Sequence, residues 1–545
     1  MLSTSNISDV NYYLNTKYFS LAREQLLDDK QFAGSLIHDL LIDQKFNKED
    51  FTNLCKGKIT TANGEYIELG RKNKDGELEH DMGRDLTFSA PKSVSLQHNM
   101  EGGDKRIKKA LFTATKETLD YIERNYTFTR IKDESGKIKL IKTGNFSASL
   151  LYENLNRNLE FDDHIHCTIF NATKRPDGNI RSLEFKKIIE NKMHFGMIFR
   201  MNLANQIQKL GYEVEITDKK YNFFEIKGSD KELCKEFSTR TDEINQKALE
   251  LNQNPNAKTK ELANLLTRND KELSVENIKQ VIKNRLDKLY SKYNLSKEEI
   301  IDNIKSLIFK SKNPKDSSNS SNTDIKTENV KTSITKVIEH LSERKLYFSK
   351  EEIINHSSII SFSNRKIFSI SDIEKTIDKL INKKFLIKTD ISNSNNQICY
   401  GTRQSLEQEK AIISICYEGK NKFNSISGVK DIEHYFKLQE EEKNIKLTKG
   451  QLEAVKLIIN CKDQFSIIQG YAGVGKTFAI GKADEYLNHI NKIAKESNPD
   501  HINYQIIGLA PSGSATKELE SVIGKADTLQ YFLKNIMVML MAEER

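Results

Sequence analysis

The 545-residue chain contains no tryptophan and only six prolines, which excludes collagen-like and proline-rich scaffold readings. No apolar run approaches the roughly eighteen residues that a membrane-spanning helix needs, so no membrane insertion is expected. Neither charge sign dominates: 85 Lys and Arg stand against 77 Asp and Glu, a formal +8. That balance admits a polyanionic partner without requiring one. The six cysteines (Cys55, Cys167, Cys234, Cys399, Cys416, Cys461) are scattered and form no C-x-x-C pair. They read as reduced thiols of a cytosol-like compartment. Met1 to Asp9 is polar and lacks the basic-then-apolar order of a secretory signal. A soluble, cytoplasmic, multidomain α/β protein is expected.

The chain divides by pattern. Residues 1–232 mix strand-like segments (Asp85 to Ser95, Lys139 to Tyr152, His164 to Asn171) with helical ones (Lys105 to Arg124, Lys186 to Leu210), which fits a sheet covered by helices. Over 233–311 the strands vanish and a helical extension is expected, with Ser274 and Ser296 placed as N-caps. Residues 312–331 hold little to bury and read as a flexible linker. Helix, helix, helix and a β-rich end over 332–400 suggest a winged-helix-like module. A connector, 401–446, leads to a parallel α/β segment over 447–545.

Gly470-Tyr471-Ala472-Gly473-Val474-Gly475-Lys476-Thr477 is a complete G-x-x-x-x-G-K-T. Gly470, Gly473 and Gly475 let the backbone wrap a phosphate closely, Lys476 reaches the β/γ-phosphates and Thr477 holds Mg²⁺. ATP is therefore the expected cofactor of a RecA-like P-loop domain. An apolar segment, Phe465 to Gln469, precedes the loop and is expected as its strand. Gln451 lies 19 residues before Gly470 and is placed to read an adenine edge. With Gly508 to Lys517 these blocks resemble the opening motifs of superfamily 1 helicases, over Leu447 to Leu533. No Walker-B carboxylate follows, so the helicase portion is expected to be truncated.

His164 and His166 sit two apart in a strand-like segment, so both imidazoles point to one face, a start on a divalent-metal site. The pair alone equally suits a surface or a packed core. The aromatic cluster Tyr12-Tyr13 with Tyr18-Phe19 alone reads as packing.

Together these blocks say more. Asn11-Tyr12-Tyr13, Tyr18, the run Gly83-Arg84-D-L-T-F-S-A-P-K-S-V-S to Ser95, and His164-Ile165-His166 occur in that order. Supporting stretches are Thr173 to Gly178, Gln208 to Tyr212 and Phe237 to Thr241. The combination resembles the MobF class of conjugative relaxases, the TraI/TrwC type. The resemblance implies an antiparallel HUH-type sheet and cleavage and rejoining of single-stranded DNA at a transfer origin through a phosphotyrosine. It makes Tyr12 the nucleophile, with Tyr13 and the second-pair Tyr18 beside it, Asp85 the orienting or deprotonating group, and His164 and His166 metal ligands. It also implies other conjugation or type IV secretion proteins as partners. The class carries a third histidine about eleven residues before the pair; here the neighbourhood holds Glu153, an oxygen ligand that shifts preference toward Mg²⁺ or Mn²⁺. Other readings are a degenerate single-stranded-DNA-binding remnant and a P-loop ATPase unrelated to nicking.

Overall fold

The computed structural model describes residues 2–14, 30–42, 46–76, 78–218, 220–252, 254–267, 275–293, 296–312, 322–363, 367–392 and 398–543. The chain forms two compact units, Met1–Arg403 and Gln404–Arg545. Among the described residues no helix is long and apolar enough to cross a membrane.

The first unit is built on a five-stranded antiparallel sheet. Its spatial order is Leu2–Asn6, Gly83–Ser89, Phe161–Phe170, Ala148–Leu155, Lys30–Ala33. Register and the two-residue period sort the side chains by face. Leu86, Phe88, Leu150, Ile165, Cys167 and Ile169 point one way into the main core. Asp85, Thr87, His164, His166 and Glu153 occupy the opposite face, since His166 pairs with Thr87 and His164 with Ser89 and Glu153. The long helix Arg106–Tyr126 covers the apolar face because Ile107, Ala110, Leu111, Ala114 and Ile122 recur at helical spacing and are buried. The helix Lys192–Lys209 lies beside it.

The strand expected from Asp85 to Ser95 stops at Ser89, and a helix, Lys92–Asn99, takes over behind Pro91. Proline has no N–H for a ladder but suits a helix entry. Lys139 to Tyr152 likewise divides into Ile138–Lys142 and Ala148–Leu155. Beyond Lys231 the described chain runs through the helices Lys231–Glu236, Thr239–Leu251, Ala257–Leu266, Val275–Tyr293 and Lys297–Lys312. This extension is tied to the sheet by buried Glu160, which accepts the Thr239 amide at 2.8 Å and the Asn156 side-chain amide at 2.6 Å and pairs with Arg285 at 3.1 Å. Ser296 caps its helix reciprocally with Glu299, whereas Ser274 lies outside the described residues.

The linker expected over 312–331 lies partly outside the described residues and elsewhere is helical. Residues 313–321 lie outside the described set, and 322–331 open a helix, Asn322–Ser342, whose Val330, Ile334, Val337 and Ile338 are buried. Polar composition hid these apolar positions spaced at three and four. The following module has helices Lys350–Ser363 and Ile370–Asn382 and a three-stranded sheet in the order Phe348–Ser349, Ile398–Thr402, Leu386–Ser392. It is not a separate body: its core is continuous with that of the nearby helices. The stretch His194–Ile207 of Lys192–Lys209 is buried on nearly every side because the sheet covers one side and the module the other. Asn202, wholly buried, accepts the Ile370 amide at 3.1 Å, Gln208 accepts that of Ile367 at 3.0 Å, and Arg124 pairs with Glu374 at 2.7 Å.

The second unit packs Val429–Lys443, Lys449–Asn460 and Lys476–Ser497 around Ile432, Val455, Ile459 and Ala483. Its two strands, Gly508–Ala510 and Ala526–Thr528, run parallel. Phe465 to Gln469 is not a strand, correcting the expectation: no described strand pairs with it, and Ile467 is 89% exposed. Apolar content suits a strand, but a ladder needs a neighbour. Leu529–Glu543 is helical.

Asn202→Ala should strand the buried Ile370 amide and cost about 1–3 kcal/mol. Urea unfolding of the whole chain checks this; a freely tethered module would leave the first unit's transition unchanged.

Candidate active site

The strand Phe161–Phe170 carries His164 and His166 to the polar face, their ring centroids 5.2 Å apart. Each imidazole has one nitrogen committed to the protein. His164 Nδ1 donates to the Asp162 carbonyl at 2.6 Å, and His166 Nδ1 donates to Asp85 Oδ2 at 2.7 Å, with Thr87 Oγ1 3.2 Å away. The Nε2 atoms are thereby left as the ligand positions, in the carboxylate–histidine arrangement common beside metals. Glu153, paired with His164 across the ladder, has Oε2 3.5 Å from His164 Nε2. One ligand atom each from Glu153, His164 and His166 lies within 4.8 Å of the others. Buried Asp85 Oδ1 has no hydrogen-bond partner among the described residues. Two imidazoles, a carboxylate oxygen and an unsatisfied acidic atom nearby fit a divalent cation.

The electrostatics are those of a cation-hungry site. Burial alone would depress the His164 imidazolium, but Glu153 and Asp162 outweigh it and bring His164 up to about 9.

The helix Val10–Leu14 brings the first tyrosines over this face. Tyr13 is buried, and its hydroxyl donates to Asp85 Oδ2 at 3.3 Å. Burial first, then the Asp85 charge, pushes its phenol far above the usual value. Tyr12 is 39% exposed and meets Tyr13 and His166 edge-on, at 5.0 and 6.3 Å between centroids. Burial, Glu153 and Asp85 raise the Tyr12 phenol, while Arg157, hydrogen-bonded to it, pulls the other way. Tyr12, Tyr13, Asp85, Glu153, His164 and His166 are thus gathered at one place; Tyr18 lies outside the described residues. Arg157 and Thr87 were not singled out from the sequence. Thr87 was legible, two residues from Asp85 on the same strand face. Arg157 sits in a turn, where no periodicity marks it.

On the reverse side a polar network fixes the strand. Asp163, wholly buried, accepts from Tyr152 Oη and Asn99 Nδ2 at 2.7 Å and lies 2.8 Å from His98 Nδ1. Its amide donates to Ser95 Oγ at 2.9 Å.

In the second unit, Gly473 and Gly475 adopt φ of 78° and 80°, which L-residues resist, and Lys476 opens the following helix. Lys476 Nζ donates to the Gly470 and Tyr471 carbonyls, both at 2.7 Å. Gln451 props the loop rather than projecting freely: its Nε2 donates to the Val474 carbonyl at 3.2 Å, while its Oε1 accepts the Thr448 amide. Thr477 and Lys476 line a 480 Å³ cavity with Ile468 and Leu509.

The family model described as TrwC relaxase matches residues 4–289, more than half of the chain. This chain belongs to the TrwC relaxase family. A second model, described as an AAA domain, matches residues 446–544. The multifunctional conjugation protein TraI of Escherichia coli K12 is 31% identical over 255 residues, 45% of this chain and 13% of that protein. Another E. coli TraI is 29% identical over 254 residues, 44% and 13% of the two chains. The chain therefore matches about an eighth of the length of these curated relatives. Among solved structures, the metal-bound conjugative relaxase TrwC in complex with oriT DNA is 25% identical with a TM-score of 0.46, covering 56% of this chain and 98% of that one. TrwC with a 27-mer comprising the recognition hairpin and cleavage site gives 25% and 0.44 over the same shares.

Because protons compete for a His164 raised to about 9, Mn²⁺ affinity should rise with pH until near that value and fall as His164 protonates below it. His164→Ala/His166→Ala should abolish binding, and Glu153→Gln should weaken it about tenfold or more. Calorimetric titration of the whole chain across pH 6–9 checks all three.

Proposed function

We propose that the first unit cleaves and rejoins single-stranded DNA at a transfer origin by transesterification on Tyr12. The observation that carries this reading is an accessible tyrosine standing over a Glu153–His164–His166 donor cluster, in a chain of the TrwC relaxase family. Its TraI relatives are named as conjugation proteins, in keeping with transfer-origin DNA as the substrate of this reading and other conjugation proteins as its partners. Tyr12 rather than Tyr13 is the nucleophile, because Tyr13 is buried and tied to Asp85.

A divalent cation held by Glu153, His164 and His166 neutralises phosphodiester charge when bound, and the oxygen donor favours Mn²⁺ or Mg²⁺. The protein's own groups do the rest. Tyr12 Oη forms a bond to phosphorus as the bond from phosphorus to the 3′-oxygen breaks. The phenolic proton leaves, and the 3′-oxygen takes one up, so one ester replaces another and the step reverses readily. Arg157 favours the phenolate and offsets Glu153 and Asp85, which oppose it. Asp85 holds His166 in the tautomer that presents Nε2. Tyr18 is the second tyrosine of this reading.

Tyr12→Phe keeps the ring and removes the nucleophile. Oligonucleotide binding should persist while the covalent adduct falls more than about a hundredfold. An undiminished adduct on denaturing gels assigns the attack elsewhere.

The second unit is a nucleotide site in the same reading, a P-loop of RecA-like type with a winged-helix-like module before it. The left-handed glycines and Lys476 at a helix start support ATP as ligand. Lys476→Ala should weaken binding of a fluorescent ATP analogue by about 10- to 100-fold, the worth of a charge-assisted contact.

A further inference from the structure

Among the described strands, Phe128–Lys132 and Ile138–Lys142 pair with each other alone, as an antiparallel ribbon outside the central sheet. Three rungs share one face: Lys132 opposite Ile138, Arg130 opposite Leu140, and Lys142 opposite Phe128. Each rung sets a cation beside an apolar or aromatic side chain. Successive rungs stand about 7 Å apart along the ribbon. Ile138 and Leu140 are 65% and 44% exposed, a state the core cannot explain.

Two of these rungs, Arg130–Leu140 and Lys142–Phe128, form one wall of a 790 Å³ groove. The facing wall comes from Lys186 and Lys187 and, on the module of the same unit, from Lys350, Ile398 and Tyr400. The lining holds five cations (Arg130, Lys142, Lys186, Lys187, Lys350) against three carboxylates. Arg130 pairs with Glu184, Lys186 lies 3.9 Å from Glu190, Glu351 accepts the Tyr126 hydroxyl at 2.8 Å, and Lys350 reaches Asp378 at 3.0 Å outside the lining, so the lining itself keeps a formal excess of two positive charges. Lys142 stays exposed at its tip. Loss of hydration against the groove wall, and then the charges of Lys350 and Arg124, hold it below the usual lysine value. Like charges gathered in this way are relieved by an anion.

We propose that this groove is a nucleic-acid site, separate from the nicking centre, that holds a single strand with its phosphates on the ribbon lysines and arginine and its bases against Leu140, Phe128, Ile398 and Tyr400. Single strands expose both groups at once and bind such alternating surfaces. A duplex hides its base faces, and an acidic peptide would leave the aliphatic rungs unused. None of the groove residues belongs to the Tyr12 site, so the inference does not rest on the nicking reading.

The test uses the whole chain carrying Tyr12→Phe, which separates binding from cleavage. A fluorescent 30-mer of deoxythymidine is titrated from 50 to 300 mM salt, with thermal melting as a fold check. Each lost contact to a single strand should flatten the slope of log K against log salt by about 0.7, so Lys142→Gln/Lys186→Gln should flatten it by about 1.4. Lys231→Gln/Lys247→Gln removes the same charge from other exposed helices and should leave the slope unchanged. An unchanged slope in the first pair, or an equal loss in both pairs, overturns the proposal. A 5-iododeoxyuridine-substituted strand should also photocross-link to Phe128 or Tyr400, and cross-links confined to the Tyr12 face overturn it as well.

Discussion

The register between Gly83–Ser89 and Phe161–Phe170 is the constraint on which the site depends. His166 opposes Thr87 and His164 opposes Ser89, so the polar set points one way and Ile165 and Cys167 the other. A slip of one residue would bury both imidazoles in the helical core and expose its apolar contacts. Two unrelated forces hold the register. One is the apolar packing of Leu86, Phe88, Ile165 and Ile169; the other is the polar clamp on Asp163, one residue before His164. Asp85 then needs no loop to reach the histidine: the ladder delivers its carboxylate to His166 and Tyr13 together.

Much of that arrangement was legible because it obeys a two-residue period. H-x-H on a strand, and Asp85 within an apolar alternation, give face and neighbourhood before any coordinates. What was not legible was non-local or irregular. Pro91 ended a strand that pattern alone prolonged to Ser95. Phe465 to Gln469 has strand composition, yet composition does not provide a partner. Arg157 lies in a turn, and its approach to Tyr12 follows from the path of two strands rather than from spacing. Gln451 was expected to read an adenine edge; its amide meets the backbone of the Gly470–Thr477 loop and its own helix cap.

The module over 322–402 shows the same limit on a larger scale. Lys192–Lys209 carries no clean apolar stripe, and in retrospect that is the mark of a helix enclosed on two sides. Sequence could suggest enclosure but not what encloses it. The answer lies more than 150 residues away: Ile367 and Ile370 place their amides on Gln208 and Asn202. Side-chain amides suit this role because they satisfy backbone groups at a helix entry that burial would otherwise leave unpaired.

That double enclosure sets a hierarchy of opening within the first unit. Amide protons of Lys192–Lys209 are shielded by the sheet beneath and the module above, so they exchange with solvent only when the whole body comes apart. The ribbon of Phe128–Lys132 and Ile138–Lys142 has one ladder, tied at its first strand to Ser182 and Glu184, and its outer strand, Ile138–Lys142, loses its protons through local fraying. A chain built this way sets a doubly covered helix and a lightly anchored ribbon in one unit, so the two open on different scales.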